Sequence, residues 1–161
     1  MVNERREQLG PLFSDIGAFL AEGDFSPAMK AALDEIKLAV AGNFAASQTA
    51  LGAPWAPRRQ PTGDWPLLIK TTRMVASILG DAVGLVAEGT AQGQSEHFEE
   101  VGPRHAIIAT QNPYAQSHDK GNPNRNLPAR PFMHVNADTA DKAAEIVFDF
   151  MVERLAEMLN R

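Results

Sequence analysis

Imidazole and carboxylate side chains gather in one stretch of this chain. His97, Glu99, Glu100 and His105 lie close in sequence, and His118-Asp119 follow. If His97 and His105 face each other across a hairpin with Glu99 or Glu100 beside them, they offer the nitrogen and oxygen donors of a divalent-metal site. Such a site, with His118 added, would suit a metal-assisted hydrolase. His97-Phe98-Glu99 also matches the first half of a zinc deaminase signature, but that chemistry needs a cysteine pair and the chain has no cysteine. Disulfides, thiol nucleophiles and Cys-ligated clusters are excluded on the same ground. Ser117-His118 is adjacency along the chain, not the geometry of a triad. No phosphate-binding glycine loop, nucleophile elbow or H-E-x-x-H helix is present. Two neighbouring histidines are far more often ordinary surface than ligands. The expectation is therefore no enzyme, no catalytic residue, no bound metal and no cofactor.

The elements that must position these residues follow from periodicity. Leu9, Leu12, Ile16, Phe19 and Leu20 recur at helical spacing, interrupted by Gly10, Pro11 and Gly17. A second helix starts with Ser26 as cap and Pro27 in its first turn, and repeats Met29, Leu33, Ile36, Val40 and Phe44. Thr71 to Leu79 reads as a short helix. Ala82–Thr90, Phe98–Val101 and His105–Thr110 read as strands, with 91–95 as a polar hairpin connection. The last helix, capped by Asp138 or Thr139, carries Val147, Phe150, Met151, Leu155, Met158 and Leu159. Helices at both ends of a strand region predict one α+β domain over residues 1–161: a small antiparallel sheet packed by N-terminal helices and a C-terminal helix.

Two stretches are irregular, 52–66 and 111–130. Proline and glycine break the first, which holds Trp55 and Trp65; both are expected to fold back onto the core, with partner anchoring as the alternative. The second is a long loop of the kind that is usually functional or ordered by a partner.

Charge separates along the chain. The total of 15 basic and 20 acidic residues, net −5, argues against a nucleic-acid binder that works by whole-molecule phosphate neutralisation. Residues 58–73 and 103–130 nevertheless each carry +3, while the three intervening or flanking blocks are acidic. Arg58, Arg59, Lys120, Arg125 and Arg130 sit in these basic blocks, which coincide with the irregular stretches. Basic loops facing acidic surfaces of another chain is one reading, and solvated loop charge is the other. No apolar run approaches the roughly 18 residues of a membrane span, and the charged start is not a signal peptide. A cytoplasmic setting, or a particle assembled there, is expected.

The segment Tyr114-Ala115-Gln116-Ser117-His118-Asp119-Lys120-Gly121, followed by Pro128-Ala129-Arg130-Pro131-Phe132, resembles the tailed-phage virion morphogenesis, or tail completion, family of Mu-like and P2-like phages. Gly52-Ala53-Pro54-Trp55-Ala56-Pro57 is similar to that family's Trp-Pro loop, and Leu67–Ile78 to the segment preceding its sheet. The likeness covers roughly Leu33 to Leu159. It departs at Lys70-Thr71-Thr72, at Asp119 and in the longer Gly93–Gly102 region. The resemblance implies a structural protein that completes the tail or neck and joins tail to head. Its implied partners are other tail, neck and head-completion proteins, and copies of itself in a ring. It implies location in the virion and, during assembly, in the host bacterial cytoplasm. DNA passing through such a ring would need no specific nucleic-acid contact.

The residues support roles of their own. Pro128 and Pro131 stiffen the backbone around Arg130, and Phe132 can plug into the core behind it. Arg130 is then set to pair with a carboxylate, inside the fold or across an interface. Tyr114 is expected to pack its ring and bond through its hydroxyl, and Gly121 to supply a positive φ.

Overall fold

The protein is described from a computed structural model, over residues 2–57, 67–68, 72–80 and 90–160. In chain order the elements are α1 (Val2–Glu22), α2 (Ser26–Ala46), α3 (Arg73–Leu79), α4 (Thr90–Gln94), β1 (His97–Gly102), β2 (His105–Thr110), α5 (Ala115–Lys120), a 3-10 turn (Pro123–Arg125) and α6 (Ala137–Leu159). The fold is α+β. Among the described residues α2 and α3 pack against a two-stranded antiparallel sheet, and the C-terminal α6 packs against α2 and α1.

α1 runs through Gly10, Pro11 and Gly17 without a break, where the sequence suggested interruption. Proline removes one helical donor and glycine costs backbone entropy. The helix is held at its end instead: Gly23 N–H donates to Phe19 O at 2.8 Å, and the Phe19 ring lies 5.2 Å from that of Phe25. Phe25 in turn meets Phe150 of α6 edge-on.

α2 begins at Ser26, so the N-cap position falls on Phe25, which offers no side-chain cap; the Asp24 carboxylate just before it accepts the Ser26 N–H at 2.9 Å. Leu33, Val40 and Phe44 are buried as the periodicity predicts, whereas Met29 and Ile36 are half-buried. The buried face is wider than the apolar stripe because α2 touches both the sheet and α6. Lys37 and Asn43 are drawn into it. Lys37 Nζ pairs with Glu99 Oε2 at 2.6 Å, and this ammonium, with Lys30 further off, holds the Glu99 carboxyl below its ordinary range. A lysine this deep is tolerated only because it is paired.

β1 and β2 align His97 with Thr110 and Gly102 with His105 around a tight turn at Pro103-Arg104. Side chains alternate along the hairpin. His97, Glu99, Val101, Ala106, Ile108 and Thr110 face the helices, and Phe98, Glu100, His105 and Ile107 face outward. The core beneath is formed by Val40, Phe44, Trp55, Met74, Val75, Ile78, Leu79, Ala115 and Phe132.

Three sequence expectations change. Residues 91–95 are not a hairpin connection, since Thr90–Gln94 form α4. Gly93 is why α4 fits: a Cβ there would lie 2.4 Å from Arg73 O on α3. Of the candidate strand Ala82–Thr90, residues 82–89 lie outside the described residues. Residues 111–130 are folded within one chain, containing α5 and the 3-10 turn. Finally, α6 is capped by Asn136, whose side chain accepts the Thr139 N–H at 2.9 Å, rather than by Asp138 or Thr139.

Candidate partner interface

Residues 112–134 form a strap across the core, and polar side chains lock it at each step. Asn112 is the entry pivot. Its Nδ2 donates to Glu96 Oε2 at 3.0 Å and its Oδ1 accepts the Tyr114 N–H at 2.9 Å, while its own N–H donates to Thr110 Oγ1 at 3.1 Å. Glu96 also takes a forked pair of bonds from Arg73, with Nε at 3.0 and 3.1 Å from its oxygens. The Arg73 guanidinium, helped by Asn112, holds the Glu96 carboxyl below its ordinary range. Tyr114 does not pack as expected. Its ring is 53% exposed, with the Arg73 guanidinium 5.9 Å from the ring centre.

α5 then turns the chain. Gly121 has φ +77°, and a Cβ there would stand 2.8 Å from Ala129 N, so the positive φ and the close approach both demand glycine. Asn122 and Leu127 close the 3-10 loop through reciprocal backbone bonds of 2.8 and 2.9 Å. The returning segment is fixed to α5: Arg130 N–H donates to His118 O at 2.8 Å, and Phe132 N–H to Asp119 Oδ1 at 3.1 Å.

Arg130 is 5% exposed and inside the fold. Two backbone carbonyls accept from it: Nε donates to Ala56 O at 3.0 Å and a terminal nitrogen to Pro57 O at 3.3 Å. The Pro131 carbonyl accepts from Trp55 Nε1 at 3.2 Å, and Asn43 Nδ2 donates to Phe132 O and His134 O at 3.3 and 2.9 Å. Phe132 is fully buried, its ring 5.1 Å from that of Phe44, which meets Trp55 edge-on. The motif Pro128 to Phe132 is therefore a staple between the Trp55 loop, α2 and α5. Burial first, and the Arg130 charge second, push the His118 imidazole below its ordinary pKa. Its Nδ1 is buried without a hydrogen-bond partner among the described residues.

These placements sort the candidate contact residues. Trp55, Arg130 and Phe132 are buried and serve the fold, and Gly121 is half-buried at its turn. His118 is half-buried. Lys120, Arg125 and the Tyr114 ring are exposed. Arg58, Arg59 and Trp65 lie outside the described residues.

The hydrolase set does not converge. Register puts His97 opposite Thr110 and His105 at the turn opposite Gly102, so the two sit at opposite ends of the hairpin, about 16 Å apart at ~3.3 Å per residue. They also point to opposite faces. His105 pairs with Glu100 at 3.0 Å, His97 lies 3.5 Å from Glu99, and His118 is on α5. Among the described residues no group of three His, Asp or Glu side chains is placed to hold a metal ion.

A different surface emerges on the helices. α6 has 23 residues, of which Ala143 is buried. Its inner stripe, with Val147 and Phe150, meets α2 and α1. Phe148, Val152 and Leu159, with half-buried Leu155 between, form a second stripe at helical spacing that faces solvent. Phe148 is 61% exposed, and Phe13 on α1 is 66% exposed. Sequence reading put Leu155 and Leu159 in one wide apolar face with Val147 and Phe150 and did not single out Phe148 or Val152, and so missed this. The signal was there in its width, since one neighbouring helix covers only part of such a stripe.

No family model matches the chain, and no curated protein or solved structure gives a match to it.

Proposed function

We propose that this chain is a structural assembly protein of a tailed-phage-like particle, completing the tail or neck so that tail and head join. It acts by binding other proteins of the particle, and it makes or breaks no bond. The observation that carries the reading is the outward stripe Phe148-Val152-Leu155-Leu159 on α6, accompanied by exposed Phe13 and Leu20 on α1. Large apolar side chains repeated along solvent-facing helices mark a surface meant to be covered. The resemblance of Tyr114–Gly121 and Pro128–Phe132 to the tail completion family supplies the kind of particle, with the virion and the host cytoplasm as its places.

The acidic flanks of the α6 stripe set the chemistry of what covers it. Asp141, Glu145, Asp149, Glu153 and Glu157 outnumber Lys142 and Arg154 on this helix, so a partner with apolar residues framed by basic ones fits best. A ring of copies would need such a heterologous contact, one surface meeting a different one. The experiment is complementation of particle assembly with the double variant Phe148→Asp/Val152→Asp. Tails that fail to join, from a chain that still folds, support the reading; normal joining overturns it.

A further inference from the structure

Among the described residues the two-stranded sheet leaves its β2 edge unguarded. Gln111 N–H donates to Glu96 O at 2.8 Å, which sets the phase of the ladder. The hydrogen-bonded pairs are then Phe98/Ala109, Glu100/Ile107 and Gly102/His105. Ala106, Ile108 and Thr110 consequently direct their backbone N–H and C=O groups away from β1. Among the described residues nothing bonds to those groups. Proteins usually blunt such an edge with a charge, a proline or a bulge. Ala106-Ile107-Ile108-Ala109-Thr110 has none of them. An open groove of about 480 Å³ borders the edge from Ile108 to Pro113, with Ala115, Gln116 and Asp119 of α5 on its far side.

We infer that this edge pairs with the same edge of a second copy of the chain, across a two-fold axis at Ile108. The spacing is self-complementary. With Ile108 opposite Ile108 of the second copy, Ala106 falls opposite Thr110 and each outward N–H meets an outward carbonyl. The same register sets Ile107 beside Ala109 of the second copy on the outer face. That face already exposes Phe98 (40%) and Ile107 (44%), so the two apolar patches become one across the axis. The result is a four-stranded antiparallel sheet, a common sheet size. In this register the second copy's His105 comes opposite Gln111.

A two-fold contact closes on itself and ends at a dimer. It therefore describes the free protein, does not rest on the assembly reading, and uses none of the α6 stripe. Sedimentation velocity over a concentration series tests it, with amide exchange read at the same concentrations. The wild-type chain is expected to dimerise as concentration rises, with the amides of Ala106, Ile108 and Thr110 slowing in step. Ala106→Pro removes an outward N–H that the hairpin itself does not use, and Ile107→Lys puts a charge on the solvent face. Each should weaken the dimer by about tenfold or more. Should the proline variant fail to fold, the lysine variant decides. A wild-type chain that stays monomeric overturns the inference, as does a dimer that survives Ile107→Lys or one that Phe148→Asp dissolves instead.

Discussion

The strap and the C-terminal helix invert the usual distribution of side chains. Arg130, a permanent cation, is 5% exposed, while Phe148 is 61% exposed. In the strap, most polar groups find partners within the fold, and the Arg130 guanidinium donates to the carbonyls of Ala56 and Pro57. On α6, apolar side chains at regular spacing meet solvent. The difference teaches where to look for a contact surface. A recognisable motif can serve to hold the molecule together, while the residues that meet a partner sit in an ordinary amphipathic helix.

Substitutions separate the two regions by what they change. Phe132→Ala should have the largest effect on stability, about 3–5 kcal/mol, because it opens a cavity against Phe44 in a fully buried position. Urea denaturation measures it; a loss below 1 kcal/mol, roughly the scale of a surface change, would mean that the strap does not close the core. Arg130→Met keeps the aliphatic stem but leaves two carbonyls without their donor. It should cost about 1–3 kcal/mol in the same measurement. Arg130→Glu is for this reason a poor probe of binding, since any failure to assemble would report a damaged fold. Asn136→Ala removes the α6 cap and should cost about 1 kcal/mol while leaving the core intact.

The smallest of these effects depends on pH. The folded protein holds His118 with a lowered pKa, so in the unfolded state it binds a proton more readily. Stability from this group is therefore complete above its unfolded value, about pH 6.5, and lost as pH falls towards the folded value. Unfolding midpoints of His118→Gln should depend less on pH below 6.5 than those of the parent. Equal slopes would show that the His118 imidazole does not set the dependence.

The parts of the fold legible in the sequence are those with local periodicity. α2, α6 and the hairpin strands follow from apolar spacing, and Gly121 and Phe132 from what glycine and a post-proline phenylalanine do. α1 was legible as apolar but not as continuous, because Gly10, Pro11 and Gly17 weaken a helix without forbidding it. α4 and α5 lack an apolar stripe; contacts with α3 and with the strap define them instead. Asn112, Asn43 and Glu96 were illegible as structural pivots for a related reason. The side-chain partners that tie them across the fold are 16 to 91 residues away in sequence, and a polar side chain carries no mark of such pairing. The basic block 103–130 misled in the same way. Net charge by segment does not reveal that Arg130 faces inward while Lys120 and Arg125 face solvent.

The most direct test of assembly through the helices is tail joining by Phe148→Asp/Val152→Asp, scored by electron microscopy as the fraction of heads carrying tails. These side chains are exposed, so the variant should unfold within about 0.5 kcal/mol of the parent. The expected result is a folded chain that leaves heads and tails separate. Heads and tails joined at the parental frequency by that same folded variant would contradict it.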